Sequence, residues 1–133
     1  MTTRIVGSAR ETRPFSRPLL ASIAETKMIG LRSGTEHRFI GVWAVVVRDR
    51  VFARSWNDKD TGWRLAFVKE PRGTLQVLDR QVRVRAKAVR SEAVLAAVDR
   101  AYRAKYASPA NQRWLRGFRL VWRQRTTTEF IPR

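Results

Sequence analysis

Arg38-Phe39-Ile40-Gly41-Val42-Trp43-Ala44-Val45-Val46-Val47 is the stretch on which the fold turns. It is apolar at nearly every position and rich in β-branched and aromatic residues. A strand covered on both faces reads this way and belongs near the middle of a sheet or barrel. Arg48-Asp49-Arg50 is a polar break of hairpin length, and Val51-Phe52-Ala53-Arg54-Ser55-Trp56 resumes as a strand. Further on, Thr74 to Val77 and Val82 to Ala88 form a second hairpin around Leu78-Asp79-Arg80-Gln81. In it Val82, Val84, Ala86 and Ala88 face one way and Arg83, Arg85 and Lys87 the other, so one face is basic. Thr126 to Ile131 is a closing β-prone segment, ended by Pro132.

The helical signals lie between these runs. Ser16 caps a helix through Leu19, Leu20 and Ile23 to about Met28, with Pro18 in its first turn, and Ser33-Gly34 marks a turn. Trp63, Ala66 and Phe67 fall at helical spacing in a short helix stopped by Pro71 and Gly73. Ser91 and Glu92 open a longer one whose apolar arc runs from Val94 and Leu95 to Tyr102 and Tyr106. Lys105 sits on that arc and needs a partner. Trp114, Leu115, Phe118, Val121 and Trp122 share a further arc opposite Arg113, Arg116, Arg119 and Arg123. Leu120 breaks that pattern, and Gly117 weakens it by about 1 kcal/mol relative to alanine. Residues 1–13 read as a loose basic leader and 14–133 as one α+β, β-rich domain.

Composition narrows the chemistry. The 133 residues are 44% hydrophobic with 7 Gly and 5 Pro, enough apolar content for one core and too much for a disordered chain. Cysteine is absent and His37 is the single histidine, which excludes disulfides, thiolate or histidine zinc sites and hydrolytic triads. Asn57 to Gly62 briefly resembles a calcium loop, but the glycine arrives early and Lys69 stands where a glutamate is needed, so a solvated loop is expected. The N-terminus lacks the apolar core of a signal peptide, and the run Phe39 to Val47 falls far short of the ~20 residues of a membrane span. A cytoplasmic protein that does not enter the membrane is the expectation.

Charge is the strongest compositional signal. Lys and Arg number 28 against 11 acids, a net +17 carried mostly by arginine, whose planar fork suits phosphate and carboxylate. The basic residues also form a constellation: Arg32-Ser33-Gly34 and Arg38 before the central strand, Arg54-Ser55 at the end of its partner, and Trp63-Arg64 opening a helix. Strand-start and strand-end positions meet at one end of a hairpin, so Arg38 and Arg54-Ser55 are expected together near the Trp63 helix, as a cradle for a phosphorylated ligand.

These residues, in this order, resemble an uncharacterised bacterial family of the flavin-binding split-barrel type. The resemblance extends through Val42-Trp43, Val51-Phe52-Ala53-Arg54-Ser55, Gly62-Trp63, Ala101 to Tyr106 and the closing Thr-Thr…Pro132-Arg133. The chain is also distantly similar to deazaflavin-dependent nitroreductases. The resemblance implies an FMN-binding-like split barrel of about six strands, dimeric, with FMN or a deazaflavin coenzyme across the dimer interface. Carried over by position, Arg32, Ser33, Arg38 and Ser55, with Arg54 beside them, contact the cofactor phosphate, and Trp63 and Arg64 lie next to it. An oxidoreductase activity follows from that resemblance, and hydride transfer needs only an apolar cleft that tryptophans could line. The competing expectation is a nucleic-acid-binding protein. In it the Arg83-Arg85-Lys87 face and the Arg113 to Arg123 stripe track phosphates while Trp114 or Trp122 stacks on bases.

Overall fold

A computed structural model describes residues 14–56, 59 and 62–133. The basic leader 1–13 and most of the expected loop at 57–62 lie outside the described residues. The chain runs α1 (Arg17–Glu25), β1 (Ile29–Ser33), β2 (Ile40–Val42), β3 (Ala44–Val47), β4 (Arg50–Ala53) and α2 (Trp63–Lys69). It continues as β5 (Arg72–Val77), β6 (Arg80–Ala88), α3 (Glu92–Lys105), a 3-10 turn at Pro109–Asn111, α4 (Gln112–Phe118), α5 (Val121–Gln124) and β7 (Thr128–Pro132).

The strands form one sheet in the order β2-β1-β5-β6-β7-β4-β3, and every pairing is antiparallel. Its two end strands are consecutive in the chain, separated only by Trp43. The sheet therefore curls back on itself into a nearly closed barrel with flanking helices. Seven strands replace the six expected because the run from Arg38 to Val47 divides at Trp43. That run is not a central strand: each half keeps one neighbour in the sheet, and β3 is covered instead by α1 and α3.

Two apolar cores explain why β3 and β4 carry hydrophobic residues at successive positions. Ala44, Val51 and Ala53 point into the barrel with Leu31, Leu75, Val84 and Phe130, and α1 adds Leu19, Leu20 and Ile23. Val45 and Phe52 point out into a second core built from Val98, Tyr102, Tyr106, Leu115 and Phe118 of α3 and α4. Ser16 and Ser91 cap α1 and α3 as expected, accepting from the Leu19 and Val94 N–H groups.

Strand β1 was hidden in the sequence, since only Ile29 and Leu31 supply its apolar face. The long helix expected from Arg113 to Arg123 is also broken. Leu120 adopts an extended conformation (φ −59°, ψ 139°) and separates α4 from α5. Its arcs separate with it: Leu115 and Phe118 are buried, whereas Val121 is 63% and Trp122 45% exposed.

Candidate functional site

The β3–β4 ladder ends where Ala44 faces Ala53. Continuing the hairpin sets Trp43, not Arg38, opposite Arg54, and at that rung the strands separate. The Tyr102 hydroxyl fills the gap: it accepts from the Arg54 N–H (3.0 Å) and donates to the Trp43 carbonyl (2.6 Å), replacing a direct backbone bond. Burial pushes the Tyr102 phenol well above its ordinary range, so it stays a neutral donor. Beyond this wedge, Ser55 turns toward β7, its N–H donating to Thr126 Oγ1 at 2.9 Å.

The split opens on a cleft of about 510 Å³, a volume suited to a small organic ligand. One wall is β2 from Ile40 to Val42 with Trp43, the other Ser55 and Trp56, and Gly62, Trp63, Trp114 and Phe118 complete the lining. Strand β2 is terminal in the sheet order, paired with β1 alone among the described residues, and Ile40, Gly41 and Val42 all line the cleft. Its aromatic walls are held in place. Trp43 stacks on Tyr106 (4.2 Å between centroids), and Trp114 meets Trp56 edge-on at 4.9 Å. The Arg123 guanidinium lies 3.6 Å over Trp56 while its Nε donates to the Trp56 carbonyl at 2.7 Å. Lys27 at the rim stands 5.6 Å from the Trp43 ring centroid.

The structure divides the residues singled out by sequence. Ser55 and Trp63 line the cleft, and Trp63 also packs against Phe67 and Phe130, with Arg64 next to it at the start of α2. Arg54 reaches the cleft only with part of its surface, because its guanidinium is buried and committed. Nε donates to Thr127 Oγ1 (3.0 Å), Nη1 to Asp99 Oδ1 and the Phe118 carbonyl (both 3.2 Å), and Nη2 to the Leu95 carbonyl (3.0 Å). Ser33 is buried too, and its hydroxyl donates to the Ala66 and Glu70 carbonyls, pinning β1 to α2. Arg38 is exposed ahead of β2, and Arg32 lies over the Phe39 ring in a different cavity.

Trp56 and Lys27 were not among the residues singled out, and Trp114 was named only as a base-stacking candidate. For the tryptophans the signal was their number, 5 in 133 residues, but what gathers them is the splitting of two strands that sequence reads as a continuous hairpin. The Arg113 to Arg123 stripe is also dispersed: Arg119 approaches Asp99, Arg113 lies over Trp114, and Arg123 turns in onto Trp56.

Among the described residues no helix is long and apolar enough to cross a membrane, and no group of three or more His, Asp or Glu residues could hold a metal ion. No curated protein matches the chain. Among solved structures, a conserved hypothetical protein, Rv2991, from Mycobacterium tuberculosis shares the fold with a TM-score of 0.61 at 9% identity, over 90% of this chain and 80% of that one. Residues 20–128 match the model of a bacterial family, and the chain belongs to that family, described as an uncharacterised protein conserved in bacteria (DUF2255).

Proposed function

We propose that this protein binds a flavin-type cofactor, FMN or a deazaflavin coenzyme, with the ring system in the tryptophan-lined cleft at the barrel split. The observation that carries the reading is that cleft: four tryptophans, Trp43, Trp56, Trp63 and Trp114, line it together with the backbone of β2, a terminal strand of the sheet order. A flavin or deazaflavin ring is planar and apolar on its faces, and its pyrimidine edge carries alternating donors and acceptors that an open strand edge can match. When bound, such a cofactor supplies reversible hydride transfer, the basis for an oxidoreductase reading. The chain's own part is to hold the ring, exclude water with aromatic walls and keep Tyr102 neutral behind them.

The fit is good for the ring and poorer for the expected phosphate cradle. The Ser33 hydroxyl and the Arg54 guanidinium serve internal bonds and Arg123 is held on Trp56, which leaves Lys27 as the exposed cation in the cleft lining. Met28 and Ile40, 54% and 39% exposed at the mouth, are the surface that a second copy of the chain would cover in a homodimer.

Titration of tryptophan fluorescence with FMN, riboflavin and a deazaflavin coenzyme tests the proposal. It is run in about 0.3 M salt, where screening reaches within roughly 6 Å. Saturable quenching is expected, with FMN no more than about tenfold tighter than riboflavin, because one exposed lysine contributes about 1 kcal/mol. No saturable quenching by any of the three would remove the reading.

A further inference from the structure

A second cavity, of about 610 Å³, lies on the outer face of the barrel and shares no lining residue with the tryptophan cleft. Four arginines line it, Arg32, Arg72, Arg83 and Arg133, against one acidic side chain, Glu70. Sheet register assembles them. Arg32 pairs with Thr74, Thr74 pairs with Arg83, and the Arg133 N–H donates to the Arg83 carbonyl, so the four residues form one row across adjacent strands. Two rungs away, on the same face, Arg72 stands directly opposite Arg85. Like charges placed opposite one another on a sheet repel, and a fold that lines them up needs a counter-charge.

Glu70 supplies only part of it. Its carboxylate takes the Arg72 Nε and Nη2 at 3.3 and 3.2 Å, and these bonds, with the Arg133 charge behind them, hold its pKa below the ordinary range. Arg133 is held by backbone carbonyls, Nε on Val84 at 2.9 Å and Nη2 on Gly73 at 3.3 Å. Arg32 Nε is buried with no hydrogen-bond partner among the described residues, and its guanidinium carbon lies 4.6 Å from the Phe39 centroid. Arg83 is exposed and makes no side-chain hydrogen bond or ion pair among the described residues. Thr74 and Gln81 add neutral donors. Guanidinium forks converging from several strands on one concavity match the many oxygens of a condensed phosphate better than one isolated anion.

We propose that this arginine pocket binds a compact polyanion, the di- or triphosphate group of a small molecule. It goes beyond the flavin reading and stands on different residues, so either can fail alone.

Isothermal titration calorimetry with inorganic triphosphate, pyrophosphate and orthophosphate at constant ionic strength tests it, with ATP as a parallel arm. Affinity is expected to rise from orthophosphate to triphosphate. Arg83→Gln and Arg72→Gln should each weaken triphosphate about tenfold or more. Arg100→Gln, which removes the same charge from an exposed α3 position outside the pocket, should leave it unchanged. Arg83→Gln should also melt within about 1 °C of the parent without ligand, showing that the loss is not misfolding. ATP matching triphosphate identifies recognition of the phosphates alone, and tighter ATP identifies a nucleotide; both support the assignment. No binding, or equal loss in Arg100→Gln, would overturn it. So would a single-stranded oligonucleotide that displaces triphosphate with a steep salt dependence, because it would give this face to nucleic acid.

Discussion

At the scale of single residues, Arg54 shows how one side chain can be misplaced by its type. An arginine at the end of a strand, in a chain with net charge +17, invites a ligand-binding role. Here it is 2% exposed and its guanidinium meets Asp99, Thr127 and the carbonyls of Leu95 and Phe118, tying together α3, α4 and the segment that leads into β7. Arg54→Ala leaves Asp99 without its buried partner and several carbonyls without a donor. A loss of about 3–5 kcal/mol is expected, measured as a drop in the urea midpoint at unchanged slope. Arg54→Lys keeps the charge but offers one compact ammonium where a planar fork spans four acceptors, so it should recover little of that loss.

At the scale of elements, two glycines mark where backbone and ring approach too closely for any side chain. Gly73 in β5 lies against β1 and α2, and a Cβ there would stand 2.2 Å from the Arg32 carbonyl oxygen and 2.6 Å from the Phe67 ring. Gly73→Ala should cost about 3 kcal/mol by forcing β1 from β5, read by denaturant unfolding. Gly117 in α4 is the instructive case, because helix propensity alone favours alanine by about 1 kcal/mol. A Cβ there would meet Trp56 at 2.2 and 2.5 Å, so the ring must leave its place beside Trp114. Gly117→Ala should change the near-ultraviolet circular dichroism of that tryptophan pair. If Trp56 walls a flavin site, the same variant should weaken FMN quenching severalfold while far-ultraviolet dichroism stays the same.

At the scale of the whole molecule, stability should depend on pH through the core between the barrel and α3. The Lys105 ammonium donates to the Ile23 and Ala44 carbonyls at 2.9 and 2.6 Å, which satisfies the expectation that a lysine on this apolar arc needs a partner. Burial lowers its pKa from 10.5 to about 8. Between those values the unfolded chain binds more protons than the folded one, so stability rises with pH across that window. The gain is about 1 kcal/mol once solvent screening of a partly exposed group is allowed for. Burial moves Tyr102 and Tyr106 the opposite way, above 10.0. The unfolded chain then loses those protons first, and stability falls as pH rises past 10. Urea midpoints taken from about pH 7 to about pH 11 should therefore climb gently from pH 8 and then decline. Lys105→Met should abolish the climb and keep the decline.

What the sequence determined by itself was local. Caps at Ser16 and Ser91, the alternation of Val82, Val84 and Ala86 with Arg83, Arg85 and Lys87, and the α+β class all follow from periodicity within a few residues. Those features depend on backbone geometry that neighbouring residues set. The split at Trp43, the inward turn of Arg54 and the gathering of Trp56, Trp63 and Trp114 around one cleft had no local signal. Nor did the gathering of Arg32 on β1, Arg72 on β5, Arg83 on β6 and Arg133 around one cavity, of which the sequence showed only the β6 portion. A strand's side chains alternate whatever surrounds them, but which face is covered, and by what, depends on segments far away in the chain. Only the closing of seven strands into a barrel decided which arginines hold the protein together and which face outward.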